Sequence, residues 1–446
     1  MEEPPSAVRV PRAGRQNHPK LARVGAVVAM ALGLGACGSS TAAPTSGQPM
    51  PSSSAPTPFA LPAFYTVPST LPQQPGALIK DTPVTVTTEH INASAYLVMY
   101  TSQDEQDKVV AVTGVLYVPR APPPAGGFPV VAWAHGTNGM GDPCTPSLDP
   151  GTAVPSLASV NDILDHGWEF ASTDYQGEGT PPGLLASLVG NVAAWDTIDL
   201  VRAAQQIPAA RASTTYVVWG HSEGGQAAMF AWELGPAYAP ELHLAGAVAG
   251  APPSQFATLL PGLEGGSNLF FVIMIVAGVN EAYGDAQAPL SSVLTEKGMD
   301  LLPILREDCL NAIQLAVNRY PASALLSHDP MSVPQWAALL LANDPGQFTS
   351  GSNVPLLIIQ GADDDLVPVT TTQQLATHLC GIGEEVQRWL YPGEGHAEVI
   401  TPSTPDMVQW IADRFAGTAF PDSMQPSGLP GVIDQDCQTP GGFTSS

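Results

Sequence analysis

Residues Tyr216-Val217-Val218-Trp219 run straight into Gly220-His221-Ser222-Glu223-Gly224 and then into Gly225-Gln226-Ala227-Ala228-Met229-Phe230-Ala231-Trp232. An apolar, β-branched run, a serine flanked by glycines and an alanine-rich segment spell strand, tight turn and helix in that order. In that setting G-x-S-x-G marks a sharp turn that holds its serine in a strained backbone conformation, with glycine-sized neighbours leaving the room. Ser222 is the candidate nucleophile.

A serine hydroxyl is a weak nucleophile at neutral pH, so the turn needs a base, a group to orient that base, and donors for an oxyanion. Val354-Pro355-Leu356-Leu357-Ile358-Ile359-Gln360 reads as a buried strand. It ends in Gly361-Ala362-Asp363-Asp364-Asp365-Leu366-Val367-Pro368, which puts carboxylates on the following loop. The strand before and Val-Pro after favour Asp364 as the orienting acid, with Asp363 and Asp365 as alternatives. A further strand, Glu385-Val386-Gln387-Arg388-Trp389-Leu390-Tyr391, leads into Pro392-Gly393-Glu394-Gly395-His396, so His396 is the candidate base. The chain order Ser, Asp, His with the serine on such a turn is that of α/β-hydrolases. The expected fold is therefore α/β, a mostly parallel central sheet flanked by helices.

Upstream, Phe128-Pro129-Val130-Val131-Ala132-Trp133-Ala134 reads as another buried strand, ending in His135-Gly136-Thr137-Asn138-Gly139. The backbone N–H groups of Thr137 and Glu223 are assigned to the oxyanion hole, with Gly136 as the fallback donor. Loss of one such donor costs about 3 kcal/mol of transition-state stabilisation. His135 and His221 are read as turn residues that pack and hydrogen-bond. No His/Cys/Asp spacing suits a metal, and no Walker or dinucleotide-binding glycine pattern occurs, so neither metal nor cofactor is expected.

Residues 96–100 and 109–118 read as an antiparallel hairpin around the polar 102–108 turn. Stretches 160–166 and 192–207 read as helices flanking a strand that ends near Thr173, and 242–250 reads as the strand after the nucleophile helix. From there to Val354 is about a hundred residues, far beyond an ordinary loop, which implies an inserted domain. Its segments 269–276, 299–305, 310–317 and 336–341 read as mostly helical, forming the interior of a cap, the roof of an apolar pocket, or both. The organisation expected is a signal peptide at 1–36, a lipidated N-terminus and tether at 37–75, and a core at 76–252. A cap at 253–347 and the second part of the core at 348–446 complete it.

With 446 residues, 44% of them hydrophobic, the chain can bury one large capped core. Its 40 acidic against 15 basic residues, a net charge of -25, repel nucleic acid and other polyanions. Neutral substrates suit it better. Arg9, Arg12, Arg15, Lys20 and Arg23 precede an apolar run at 24–36 that is too short to span a bilayer and fits an export signal. The run ends Leu34-Gly35-Ala36-Cys37, which resembles a bacterial lipobox, so Cys37 is expected to carry a membrane-anchoring lipid. The Ser, Thr, Pro and Ala of 39–62 then form a tether. Cys144, Cys309, Cys380 and Cys437 remain, an even number in an oxidising compartment, and two disulfides with three open pairings follow.

Taken in order, these stretches resemble one family. His135-Gly136-Thr137 with Cys144, Asp174-Tyr175-Gln176-Gly177-Glu178-Gly179-Thr180, the Gly220 to Gly225 turn, the Gly361 to Pro368 loop and Tyr391-Pro392-Gly393-Glu394-Gly395-His396 are similar to secretory lipases of the lipase A type. The similarity spans roughly residues 75–437. It implies hydrolysis of carboxylic esters, acylglycerols included, beneath a helical cap, and places the triad acid on Asp364. It also implies the pairings Cys144 with Cys309 and Cys380 with Cys437. Glu223 departs from the smaller or neutral residue that the resemblance leads one to expect, so its side chain has to point away from the oxyanion. An envelope acyltransferase or a serine peptidase would use the same triad, and a non-catalytic surface lipoprotein would keep only the scaffold.

Overall fold

The computed structural model describes residues 59–86, 91–151, 159–418 and 432–437. The expected signal peptide, Cys37 and most of the tether lie outside the described residues. Among the described residues ten strands form one sheet: β1 (Leu78–Val84), β2 (Ala93–Gln103), β3 (Val109–Pro119), β4 (Phe128–Ala134), β5 (Glu169–Thr173), β6 (Ala212–His221), β7 (His243–Gly250), β8 (Leu356–Gly361), β9 (Val386–Tyr391) and β10 (Val432–Cys437). Their spatial order is β1-β2-β3-β5-β4-β6-β7-β8-β9-β10. From β5 through β9 neighbours run parallel, while β1, β2, β3 and β10 pair antiparallel. This is the expected α/β-hydrolase arrangement.

Period-two alternation sorts the strand residues onto two faces. Val130, Ala132, Val218 and Ala249 pack on one side against α2 (Gly190–Ala204), α3 (Glu223–Tyr238) and α11 (Val369–Gly381). Val131, Trp133, Trp219 and Trp389 pack on the other against α1 (Ser159–Asp165) and α12 (Ile400–Phe415). Both faces of the parallel strands are covered, which is why these strands read as continuous apolar runs in the sequence.

Between β7 and β8 the chain folds into α4 (Phe256–Glu264), α5 (Leu269–Tyr283), α6 (Glu296–Leu301), α7 (Ile304–Glu307), α8 (Leu310–Val317), α9 (Ala322–Leu325) and α10 (Pro334–Ala342). Leu259, Phe270, Ile273, Val276, Ile313 and Trp336 make their shared core, which continues onto Met140 and Tyr175 of the sheet loops. α5 is buried on nearly every side from Leu269 to Val279, as its unbroken apolar run requires. α4 starts where the buried Asp344 carboxylate accepts the N–H groups of Gln255 and Phe256, both at 2.8 Å.

The structure departs from the reading of the sequence in several places. The 299–305 segment is two helices, because Pro303 lacks an N–H and clashes with the preceding turn. The helix expected over 192–207 ends at Ala204, four residues ahead of Pro208, which bars continuation. Edge strands β1 and β10 extend the sheet at both ends. Two disulfides, Cys144–Cys309 and Cys380–Cys437, tie the loop after β4 to the cap and α11 to β10.

Candidate active site

Ser222 sits where β6 becomes α3, with φ 58° and ψ -124°, a conformation open to few residues other than glycine. The turn is braced by the Ser222 N–H donating to the Gly250 carbonyl at 2.8 Å. A Cβ on Gly220 would strike the Gly224 carbonyl, and one on Gly224 would strike the carbonyl of Ala134. The two glycines of the motif are therefore required by close backbone approach to each other and to β4.

Loops from the C-terminal ends of β8 and β9 converge on this serine. Its hydroxyl donates to His396 Nε2 at 2.9 Å, and His396 Nδ1–H donates to Asp364 Oδ2 at 2.8 Å. Asp364 Oδ2 also accepts the Gln360 amide at 2.8 Å, while Oδ1 accepts the N–H groups of Leu366 and Val367, each at 2.9 Å. Burial opposes the charge on Asp364, but the hydrogen bond and charge of His396 and those two N–H groups outweigh it and hold the carboxyl below its ordinary value. Asp363 and Asp365 are exposed on the same turn. Nothing in the sequence singles out Gln360, a lone amide at a strand end.

His221 donates Nε2–H to the His396 carbonyl at 2.8 Å, and the two rings lie 4.8 Å apart. Burial, and then the charge of His396, push its pKa down to about 3, so it stays a neutral donor at working pH. The loop after β4 crosses beside the serine. A Cβ on Gly136 would lie 3.1 Å from the His221 carbonyl and 3.5 Å from Ser222 Cβ. Glu223 turns its carboxylate sideways, where Oε2 accepts the Thr137 hydroxyl at 2.7 Å and Oε1 accepts the Leu188 N–H at 3.1 Å. Both of its oxygens are thus engaged by neighbouring loops.

The serine opens onto a pocket of about 40 Å³ lined by Thr137, Leu188, Leu263, Phe271 and Val367 among others. That volume holds a few waters at most. Leu259 and Leu263 bring α4 over the pocket, and Phe271 and Ile275 bring α5.

A strained serine on a strand-to-helix turn, with an imidazole and a carboxylate delivered from later loops of a mostly parallel sheet, defines the chain as an α/β-hydrolase. Residues 154–422 match the family model described as Secretory lipase, and the chain belongs to that family. It is an ester hydrolase of the lipase and esterase kind. Lipase A of Arthroderma benhamiae is 24% identical over 384 residues, covering 80% of this chain and 79% of the relative. A secreted triacylglycerol lipase of Malassezia restricta is 26% identical over 352 residues, covering 73% and 72%. The X-ray structure of Candida antarctica lipase A superposes with a TM-score of 0.70 at 21% identity, covering 80% of this chain and 86% of the other.

Proposed function

We propose that the chain cleaves neutral carboxylic esters, acylglycerols among them, through a serine acyl-enzyme. The observation that carries this reading is the unbroken run Ser222 Oγ to His396 Nε2 and His396 Nδ1 to Asp364 Oδ2, at 2.9 and 2.8 Å. His396 takes the proton as Ser222 attacks the ester carbonyl, and the backbone N–H groups of Thr137 and Glu223 hold the oxyanion. The alcohol leaves with the proton from His396, and water enters by the same base to release the acid. Asp364 keeps the imidazole in the correct tautomer and stabilises it when it is charged.

The apolar roof of Leu259, Leu263 and Phe271 suits an acyl group, and the relative named a triacylglycerol lipase supports the acylglycerol class. The enclosed volume beside Ser222 suits the first carbons of an acyl chain. The chain is exported in this reading, as its secreted relatives are named, and a lipid on Cys37 holds it at the envelope. Radiolabelled palmitate incorporated by the parent and not by Cys37→Ala supports the anchor. Equal labelling of both removes it.

The test is hydrolysis of p-nitrophenyl esters from acetate to palmitate, with Ser222→Ala as control. Turnover by the parent and a loss of about 10⁶-fold in the variant are expected, as for removal of other catalytic serines. A Ser222→Ala protein that retains turnover ends the acyl-enzyme reading.

A further inference from the structure

The Asp174-Tyr175-Gln176-Gly177-Glu178-Gly179 loop has no part in the chemistry above, yet it buries two carboxyls, Asp174 and Glu178, behind the loop after β4. Asp174 is fully buried and well satisfied: it accepts the Thr113 hydroxyl at 2.7 Å, the Ser147 N–H at 2.9 Å and the Ser147 hydroxyl. Glu178 is as deeply buried, and among the described residues neither of its carboxyl oxygens has a hydrogen-bond partner. Its Oε2 stands 3.6 Å from His135 Nε2, a few tenths of an ångström beyond a hydrogen bond. His135 is tied in turn to the site loop: Nδ1–H donates to the Gly136 carbonyl at 2.8 Å. The Tyr175 hydroxyl donates to the His135 carbonyl at 3.1 Å, and the two rings lie 4.4 Å apart.

The Gly136 carbonyl and the Thr137 N–H belong to one peptide unit. Because that unit is planar and trans, a bond that fixes the direction of the carbonyl fixes the N–H in the opposite direction. His135 Nε2 faces two oxygens, the Asp174 carbonyl at 3.5 Å and Glu178 Oε2 at 3.6 Å, and with Nδ1 donating to Gly136 it is the Glu178 carboxyl, when protonated, that can give it a hydrogen. An unpartnered carboxylate at such depth is strongly disfavoured. Burial, followed by the negative charges of Asp174, Glu223 and Asp142, raises the Glu178 carboxyl well above its ordinary value and so favours its protonated, donating form.

We propose that Glu178 and His135 are positioning residues for the oxyanion hole: the neutral Glu178 carboxyl donates to His135 Nε2, and His135 Nδ1–H anchors the Gly136–Thr137 peptide so that the Thr137 N–H faces the tetrahedral adduct on Ser222. This gives the Tyr-x-Gly-x-Gly stretch its role, with Tyr175 and Glu178 gripping His135 from two sides. The inference rests on the acyl-enzyme reading.

The experiment compares the whole chain with its His135→Phe, Glu178→Ala, Glu178→Gln and Tyr175→Phe variants. It reads kcat and KM on p-nitrophenyl butyrate and the Ki of an alkylboronic acid, which forms a tetrahedral adduct on a catalytic serine. His135→Phe keeps a ring and loses Nδ1–H, so kcat falls about 100-fold, the scale of one lost oxyanion donor. KM stays within about twofold, since the donor acts on the transition state, and boronate affinity weakens alongside kcat. Glu178→Ala lowers kcat about tenfold, a fraction of the effect of 1 Å misplacement, and Glu178→Gln restores most of it because its amide donates to Nε2. If Glu178→Ala does not fold, His135→Phe and Tyr175→Phe decide the matter, each expected to lose kcat and boronate affinity together. Unchanged kcat and boronate affinity in folded His135→Phe overturn the proposal, as does a Glu178→Gln loss as large as that of Glu178→Ala. Ser222→Ala run in parallel separates the two levels. Its continued turnover defeats the acyl-enzyme reading, while an inert Ser222→Ala beside an unimpaired His135→Phe defeats only this inference.

Discussion

The loop after β8 carries the buried Asp364 and the loop after β5 the buried Glu178, and their surroundings push the two carboxyls in opposite directions. Asp364 has an imidazole, an amide and two backbone N–H groups on its oxygens, and it is held ionised. Glu178 has no hydrogen-bond partner among the described residues, three negative neighbours and one imidazole at 3.6 Å, and its carboxyl is pushed well above its ordinary value. Burial pushes both the same way. What separates them is the number of donors each loop delivers, and in the Asp364 loop the two N–H donors come from Leu366 and Val367, next along the chain. A short acidic turn can thus stabilise its own charge locally, whereas Glu178 depends on groups brought from elsewhere in the chain.

The largest test of this contrast is Asp364→Asn. Loss of the orienting charge and the correct tautomer should lower kcat by about 10⁴-fold. Asp363→Asn and Asp365→Asn, exposed on the same turn, should stay within about twofold of the parent. A comparable loss in either neighbour, measured on the same p-nitrophenyl ester, would break the assignment of the charged role to Asp364.

A medium effect concerns how the second loop is braced. Asp142 accepts the Gly179 N–H at 3.1 Å, and Cys144, just beyond it, is joined to Cys309 of the cap. Cys144→Ser should lower stability by about 2–5 kcal/mol, read from urea unfolding midpoints. Hydrogen exchange should rise first around 174–179 and leave the Asp364 turn protected. Uniform deprotection would show that the two loops are not independent.

The gentlest test, spread over several pH units, is a pH slope. Glu169, at the start of β5, is another buried carboxyl, and among the described residues neither of its oxygens has a partner. Burial raises its pKa from 4.5 to about 9. A folded pKa above the unfolded one means that the folded state holds the extra proton between those values. The stability it contributes is complete below pH 4.5 and is lost as pH rises toward 9. The expected slope is a loss of about 1.4 kcal/mol per pH unit from this group. Glu169→Gln should flatten it, gaining on the parent at pH 8.5 and matching it near pH 4.5. Parallel curves for the two proteins would mean that Glu169 is charged in the folded state, closing the gap with Asp364.

Much of the fold is legible in the sequence because its signals are local. The apolar runs of β4, β6, β8 and β9 announce strands buried on both faces, and Gly220 and Gly224 announce a turn that admits no side chain. The Asp364 and His396 loops are legible for the same reason, each following its strand directly. Edge strands β1 and β10 are less so: Leu78–Val84 and Val432–Cys437 carry polar residues in mid-strand and lack a long apolar run. The break at Pro303 was there to be read, but the apolar content on either side of it masks the helix end. The surroundings of Glu178 are illegible because His135 and Asp142 come to it from the loop after β4 and Glu223 from the start of α3.

The sequence by itself determined the order of strands and helices, the strained serine and the loops that carry its partners, since each depends on residues adjacent in the chain. Tertiary structure alone decided how Glu178 and His135 are placed, how His135 meets the Gly136–Thr137 peptide, and how α4 and α5 close over Ser222. Those outcomes turn on distances and desolvation among groups far apart in the chain, and both are set only when the sheet and cap are packed together.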